Sequence, residues 1–144
     1  MQQIPKISDS FAQFDISLLK GRNTFGKDEK LKSKKIIDQL FEEGKSVSNN
    51  GFTLVYLVKP LLTFYPAQAG FSVPKKHFKR AVDRNRIKRL MREAYRQNKT
   101  PFYEKLAERK QQMAIMFVYK GKELPELEAT TAALLNLMNR IIKL

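Results

Sequence analysis

The sequence predicts an α+β domain in which one small sheet packs against helices. Its 144 residues, 42% of them hydrophobic, are enough for a single buried core. Two runs of β-branched and aromatic residues have the length of strands, whereas three other segments repeat apolar residues with helical spacing. In chain order the predicted elements are helix, strand, strand, helix, strand and helix, with room for a further short strand near Val47.

The first helix is predicted to follow an N-terminal extension. Residues 1–22 show no sustained period and are predicted to be a variable extension, so the domain is expected to span residues 23–144. Apolar residues with helical spacing then run from Glu29 or Lys30 to Glu43. Gly44 follows directly, and glycine at this position commonly ends a helix.

Two strands are predicted in the next segment. Phe52–Val58 (FTLVYLV) is β-branched and aromatic, and it follows the turn signal Asn49-Asn50-Gly51. The segment Lys59–Pro66 contains two prolines and is predicted to be a loop. A second short strand is expected from Ala69 to Val73, because Pro74 ends it.

The C-terminal half is predicted to contain two long helices around a buried strand. A basic loop, Lys75–Arg80, leads into a helix from about Ala81 to Gln97, and a shorter helix is expected near 102–109. Met113–Tyr119 (MAIMFVY) is too short for a buried helix and too apolar for an edge, so it is predicted to be a central strand. The last helix follows Pro125, and its predicted buried stripe is Leu127, Thr131, Leu134, Leu135, Met138, Ile141 and Ile142.

Positive charge is concentrated in one stretch, residues 75–99. Eleven of its side chains are Lys or Arg and only Asp83 and Glu93 are acidic, so it carries nine of the fourteen net positive charges. Solvated helices usually interleave acids with bases, and an excess of this size indicates a polyanionic partner. The eleven cations are Lys75, Lys76, Lys79, Arg80, Arg84, Arg86, Lys88, Arg89, Arg92, Arg96 and Lys99.

Within this stretch, four apolar side chains at i, i+3, i+4 and i+7 predict a helix with one buried face. Its outer side repeats like charges every four residues, and each repeat destabilises an isolated helix by about 0.2–0.5 kcal/mol. We therefore expect a bound anion to compensate. Arg86 is expected to lie near Glu93 and to be partly neutralised by it. The apolar positions are Ile87, Leu90, Met91 and Ala94, and the repeated charges are Arg84, Lys88, Arg92 and Arg96.

The composition argues against catalysis by the protein alone. The chain has no cysteine and a single histidine, His77, which excludes thiolate sites and paired-histidine metal centres. Its carboxylates are dispersed, and no glycine-rich phosphate loop has the required strand and helix context. No catalytic residue or metal ligand is therefore assigned. No apolar run has the length of a membrane span and no secretory signal is recognised, so a cytoplasmic location is expected.

Several segments resemble the protein component of bacterial ribonuclease P. They are Gly70–Lys76 (GFSVPKK), the Arg84-Asn85-Arg86 triplet and its continuation Ile87–Arg96 (IKRLMREAYR), while Phe25–Val47 is similar to the family's first helix. The resemblance extends over roughly residues 25–142 and weakens after residue 100. It implies a four-stranded sheet in α-β-β-β-α-β-α order, with a left-handed crossover that carries the basic helix (a ribosomal-protein-S5-domain-2-like fold).

The resemblance also implies a function and its partners. The catalyst would be a large RNA subunit with its own Mg²⁺ ions, and the protein would help it cut the 5′ leader from precursor tRNA. The protein alone is expected to bind no cofactor, and no protein partner is implied. The residues expected to bind the catalytic RNA are Lys75, Lys76, Arg84, Asn85, Arg86, Lys88, Arg89 and Arg92.

A cleft between the first helix and the sheet would hold the single-stranded leader. The corresponding positions are Ile37, Phe41, Phe52 and Val55. The family frequently has phenylalanine at the position of Ile37 and tyrosine at that of Val55, so stacking on unpaired bases is expected to be weaker here. Each base stacked on an aromatic ring contributes about 1–3 kcal/mol.

Two other classes of protein would fit the same charge. A ribosomal or general structured-RNA-binding protein would share the basic helix and the size, and the RNA that co-purifies would distinguish it. A membrane-surface protein with a basic amphipathic helix is favoured less, because the predicted apolar face has four modest side chains and the chain has no tryptophan.

Overall fold

The structure is a computed structural model that describes residues 24–143, so the predicted extension of residues 1–22 lies outside it. A single 3-10 turn, Lys27–Glu29, precedes the main elements. The strands are β1 (Lys45–Asn49), β2 (Phe52–Val58), β3 (Ala67–Ser72) and β4 (Met113–Tyr119). The helices are α1 (Lys34–Glu43), α2 (Ala81–Asn98), α3 (Thr100–Glu108) and α4 (Leu127–Ile142).

The four strands form one mixed sheet in the order β1-β2-β4-β3. β1 and β2 form a hairpin that begins at the pair Asn49 and Phe52, and β2 is antiparallel to β4. The turn residues Asn50 and Gly51 have φ angles of 49° and 84°, which a two-residue hairpin turn requires. β3 runs parallel to β4, and the connection between them contains α2 and α3. The predicted α+β class, the short strand near Val47 and the central position of β4 are all confirmed.

The sheet is covered on both faces. The larger core lies between one face and helices α2, α3 and α4, and it includes Phe52, Leu54 and Phe117. The smaller core lies on the opposite face under α1, where Leu40 packs with Val55 and other residues. Every residue of β4 is buried, because the strand is covered from both sides. Successive residues of each strand therefore face different helices.

The first helix begins later than predicted, at Lys34 instead of Glu29 or Lys30. Ser33 caps it, since its Oγ accepts a hydrogen bond from the amide of Ile36 at 3.3 Å. The residues before Ser33 are held by other partners: Lys30 forms an isolated parallel bridge with Ala69 of β3. The predicted helix was too long because Leu31 fits the apolar spacing of the helix. Leu31 is buried, but it lies before the first residue of the helix.

The buried stripe of the last helix is also different from the predicted one. Leu127 is 43% exposed, and Thr131, Leu135 and Ile142 are only partly buried. Leu134, Met138 and Ile141 are buried as predicted, and the stripe also includes three residues outside the predicted set, Thr130, Ala133 and Leu137. Its members are Thr130, Ala133, Leu134, Leu137, Met138 and Ile141.

Candidate nucleic-acid interface

Helix α2 is anchored by its apolar side. Ile87, Met91 and Ala94 are buried as predicted, whereas Leu90 is only partly buried. Tyr95, which was not among the predicted apolar positions, is fully buried. Its ring centroid lies 5.9 Å from that of Phe71 and 5.7 Å from that of Phe117. The helix is therefore fixed to the sheet through an aromatic cluster, and it also packs against α4. Its charged side is left to solvent.

The predicted RNA-binding residues lie together on this outer side and on the basic loop before it. Within residues 24–143, the recorded ion pairs involve none of these side chains. Arg84 and Lys88 are partly exposed. The exposed members are Lys75, Lys76, Asn85, Arg86, Arg89 and Arg92.

Arg84 has a second role that the sequence pattern does not show. Its Nη1 donates hydrogen bonds to the backbone carbonyls of Phe78 at 2.7 Å and Lys79 at 2.8 Å. These bonds fasten the basic loop, Lys75–Arg80, to the first turn of α2. The loop lysines and the helix cations are therefore held as one charged surface.

The acidic residue on α2 does not pair with the predicted partner. Glu93 accepts hydrogen bonds from Arg96 at 2.5 and 3.1 Å and from Gln97 at 2.7 Å, so the expectation that it neutralises Arg86 is wrong. The spacing explains this result, because residues three or four apart on a helix are neighbours and residues seven apart are two turns away. Hydrogen bonding to Arg96 lowers the pKa of Glu93, and the same contact raises the pKa of Arg96.

Lys99 is not part of the outer charged surface, although it belongs to the basic stretch. It is 2% exposed, and its ammonium group contacts the Glu29 carboxylate and the Thr24 carbonyl. The Tyr103 hydroxyl donates to Glu29 at 2.9 Å, and the Tyr95 hydroxyl donates to Tyr103 at 3.0 Å. We call Glu29, Tyr95, Lys99 and Tyr103 the buried polar network.

Burial governs the proton affinities in this network. Desolvation lowers the pKa of Lys99 despite the carboxylate beside it, and it raises the pKa values of Tyr95 and Tyr103. The sequence holds one signal for the network: Lys99 follows Tyr95 by four residues, as Tyr95 follows Met91. The three side chains therefore lie along one side of the helix.

The residues predicted to bind the leader lie on two different faces of the sheet. Ile37 packs against the smaller core, and Phe41, one turn further along α1, is 53% exposed. Val55 is 8% exposed on the same face of the sheet. Phe52 is 2% exposed in the larger core, with its ring 4.5 Å from that of Tyr119. Residues 52 and 55 differ by an odd number, so a strand directs them to opposite faces, and placing Phe52 in the α1 cleft is wrong.

Residues 24–143 contain no group of three or more His, Cys, Asp or Glu side chains that could hold a metal ion. Across the same range, no helix combines the length and the apolar character that crossing a membrane requires. The structure combines a basic surface, on α2 and the loop before it, with an exposed aromatic ring, Phe41, on α1 at the opposite face of the sheet. Exposed cations bind the phosphates of RNA, and an exposed aromatic ring can stack an unpaired base.

Comparison with known proteins agrees with this geometry. The family model described as Ribonuclease P matches residues 25–142. The ribonuclease P protein component of Porphyromonas gingivalis is 38% identical over 120 residues, which cover 82% of this chain and 88% of the relative. That of Nitrosococcus oceani is 52% identical over 59 residues, covering 41% of this chain and 47% of the relative.

A solved structure shows the same fold. The RNase P protein of Thermotoga maritima is 26% identical and superposes with a TM-score of 0.63, over 78% of this chain and 96% of that one. The residues that the family model matches, 25–142, include the basic helix and the sheet that supports it. The chain therefore belongs to the ribonuclease P protein family, whose members are protein components of the enzyme that matures the 5′ end of tRNA.

Proposed function

We propose that this protein binds the catalytic RNA of ribonuclease P through the exposed cations of α2 and the basic loop, and that the RNA carries out the cleavage. One observation carries the proposal: five predicted RNA-binding cations are exposed on one surface together with Asn85, and the ion pairs of residues 24–143 involve none of these five cations. Because α2 is fixed by its buried side, its backbone should lose little conformational entropy when RNA binds.

The proposed mechanism is electrostatic. A catalytic RNA and a precursor tRNA are both polyanions, and cations between them lower the free energy required to bring them together. The Mg²⁺ ions needed for hydrolysis would be held by the RNA. The protein itself would form and break no bond. The substrate of the assembled enzyme, precursor tRNA, would place the protein in the cytoplasm.

The leader of precursor tRNA would contact the surface of α1. Phe41 is 53% exposed and can stack an unpaired base. Ile37 and Val55 belong to the apolar core between α1 and the sheet. With Phe52 on the other face of the sheet, Phe41 is the aromatic residue that remains of the predicted leader site. We therefore expect leader binding to depend mainly on this ring.

Reconstitution tests who performs the cleavage. We expect the purified protein to leave precursor tRNA intact in Mg²⁺, and we expect the catalytic RNA at low Mg²⁺ to cut it rapidly once the protein is added. Magnesium-dependent removal of the leader by the protein alone would overturn the assignment of chemistry to the RNA. The 5′ end of the product, mapped by primer extension, distinguishes true maturation from contaminating nuclease activity.

Arg89→Ala tests the basic surface. The substitution removes one exposed cation, so we expect weaker binding of the catalytic RNA and a salt dependence that is shallower by about one phosphate contact. Lys35→Ala is the matched control, because it removes the same charge from an exposed position on α1, which covers the opposite face of the sheet. Equal losses for the two variants would show that net charge, and not the α2 surface, controls binding.

Phe41→Ala tests the contact with the leader. If Phe41 stacks a leader base, the variant should lose roughly five- to a hundredfold in affinity for precursor tRNA while its affinity for mature tRNA is unchanged. Leu62→Ala is the control, since Leu62 is a 98% exposed apolar residue on the loop between β2 and β3. Similar losses on precursor and mature tRNA would contradict a role in leader binding.

A further inference from the structure

The segment before α1 and the outer edge of β3 enclose a small groove. We define the edge groove by its lining residues, and its cavity volume is about 210 Å³. This volume is below the range of about 300–1,000 Å³ that is typical of sites for drug-sized ligands, so it matches a single base or nucleotide better than a larger molecule. The lining residues are Phe25, Lys30, Leu31, Lys32, Ala69, Gly70, Phe71 and Arg92.

The groove is built on main-chain contacts. The amide of Leu31 donates to the carbonyl of Ala69 at 2.9 Å, and Lys30 bridges the same residue. Leu31 belongs to the smaller core, whereas Phe25 packs against the larger core on the other face of the sheet. There, the ring centroid of Phe25 lies 5.7 Å from those of Phe71 and Tyr95. The segment therefore passes around the edge of the sheet, which gives the groove a fixed floor.

The buried polar network holds this segment against the helices. Glu29 accepts hydrogen bonds from Lys99 and Tyr103, and Lys99 also contacts the carbonyl of Thr24. The amide of Gly26 donates to the second carboxylate oxygen of Glu29 at 2.8 Å. Glu29 is thus turned inwards and paired, so its charge does not oppose an anion in the groove. The neighbouring acid, Asp28, is exposed but does not line the groove.

The walls of the groove combine cations with an aromatic surface. Lys30, Lys32 and Arg92 are exposed, and no lining residue is acidic. The guanidinium carbon of Arg92 lies 6.0 Å from the centroid of the Phe71 ring, a cation–π contact that holds the side chain at the mouth of the groove. A guanidinium plane can stack a base, and lysine ammonium groups bind its phosphates.

We propose that the edge groove binds one unpaired nucleotide of the catalytic RNA, with the base against Arg92 and Phe71 and the phosphate beside Lys30 and Lys32. The source follows from continuity, because Arg92 belongs both to the groove and to the α2 surface. This inference rests on the proposed function. It adds a site for a single nucleotide at the β3 edge of the sheet. The proposed leader surface is a different place, because its residue Val55 lies on β2, which β4 separates from β3.

Charge removal tests the site in the reconstituted holoenzyme. The double variant Lys30→Gln, Lys32→Gln should bind the catalytic RNA about tenfold more weakly at 150 mM salt, the loss expected for two single-strand phosphate contacts. The control Lys34→Gln, Lys35→Gln removes the same charge from exposed positions on the first turn of α1 and should bind within about twofold of the unchanged protein. Equal weakening by the two double variants would overturn the proposal.

A second pair of variants tests stacking. Phe71→Leu should weaken binding about tenfold without changing the salt dependence, because it removes a ring and no charge. Phe71→Tyr keeps the ring and should restore the affinity. Thermal unfolding curves of both variants show whether each is folded at the temperature of the binding measurement. Full affinity for the leucine variant would rule out an aromatic subsite at this position.

Photocrosslinking identifies the occupant. With Lys32 replaced by p-benzoylphenylalanine, we expect one crosslink, mapped by primer extension to an unpaired nucleotide of the catalytic RNA. Crosslinks only to precursor tRNA, or spread over paired nucleotides, would refute the proposed occupant. Arg89→Ala separates this result from the proposed function: if it weakens RNA binding while Lys30 and Lys32 prove dispensable, only the edge groove fails.

Discussion

Lys99 is the basic residue whose surroundings differ most from those of its neighbours on α2. Its ammonium group and the Glu29 carboxylate are both almost completely buried, with exposed fractions of 2% and 1%. Removing one member of such a pair leaves an uncompensated charge in the core. The pair therefore connects the segment before α1 to the end of α2, and its loss is expected to be felt by the whole domain.

Lys99→Ala should lower the free energy of unfolding by about 3–5 kcal/mol, because Glu29 would keep a buried charge without its cation. The measurement is urea denaturation followed by circular dichroism. Lys105→Ala breaks the pair with Glu108, whose 3.5 Å contact is exposed, and should cost less than about 1 kcal/mol. A similar small loss for both variants would contradict a stabilising role for the buried pair.

Tyr95 and Tyr103 should make the protein sensitive to alkali. Burial raises both pKa values, so the folded state keeps two phenolic protons that the unfolded chain releases near pH 10. Their stabilising contribution is present below pH 10 and is lost as pH rises further, by about 1.4 kcal/mol per pH unit for each tyrosine. The lowered pKa of Lys99 acts in the opposite direction below about pH 10.5, but one group cannot offset two.

Urea midpoints between pH 9 and 11 measure this effect. Tyr95→Phe is the cleaner variant, because Tyr95 donates to Tyr103 while Tyr103 keeps its bond to Glu29. We expect the variant to lose about half of the decline in stability above pH 10. If stability declined with pH as steeply in the variant as in the unchanged protein, the Tyr95 hydroxyl would ionise at the same pH in the folded and unfolded states, which would contradict the prediction.

Single positions were predictable where a local rule applied and unpredictable where the partner was distant in sequence. The exposed cations of α2 followed from helical spacing. Phe52 was misplaced because family correspondence was used without the alternation of β2, which puts Val55 and Phe52 on opposite faces. The partner of Lys99 is 70 residues away, and no local pattern identifies Glu29.

At the level of the element, α2 separates two functions along one helix. Its apolar side, with Tyr95, packs on the sheet, and its outer side carries the charge. Glu93 is the acidic side chain within the C-terminal half of this helix, and it lies between these sides in contact with Arg96 and Gln97. Its carboxylate locally reduces the positive potential of the surface that we expect to meet RNA.

Glu93→Gln should therefore strengthen binding of the catalytic RNA. The substitution removes a negative charge and should make the salt dependence steeper by up to about one phosphate contact. Its effect on stability should stay below about 1 kcal/mol, because the Glu93–Arg96 pair is partly exposed. Binding isotherms at several salt concentrations give both quantities. Glu128→Gln, on the first turn of α4, is the control for net charge, and equal gains would contradict a local effect.

The bounds of the elements were predictable where a stop signal coincided with the end of the apolar pattern. Gly44 ends α1 as predicted, and β2 and β4 have the predicted bounds. The start of α1 was wrong because Leu31 is buried by a different arrangement, a bridge to β3. Periodicity reports which side chains are buried, and it does not report which backbone conformation buries them.

For the whole molecule, the class of fold was predictable but the order of the strands was not obtained from the local pattern. β4 lies between β2 and β3, although 40 residues separate Ser72 from Met113. That insertion creates the two-sided sheet on which α1 and α2 occupy opposite faces. The basic surface and the exposed ring of Phe41 thus belong to different layers, and an RNA complex that contacts both must approach the domain from more than one side.

Phosphate contacts made by the basic surface should dominate how this protein, whose net charge is +14, binds RNA. With about six phosphate contacts, the affinity for the catalytic RNA should fall on the order of a thousandfold between 50 and 200 mM salt, because each contact releases condensed counterions. Filter binding or fluorescence titration at four salt concentrations measures the slope. Arg86→Ala combined with Arg89→Ala should reduce the slope by about two contacts, since both guanidinium groups are exposed on α2. A loss of less than tenfold across this salt range would mean that few of the exposed cations reach phosphates, and binding would then depend on the aromatic and polar contacts instead.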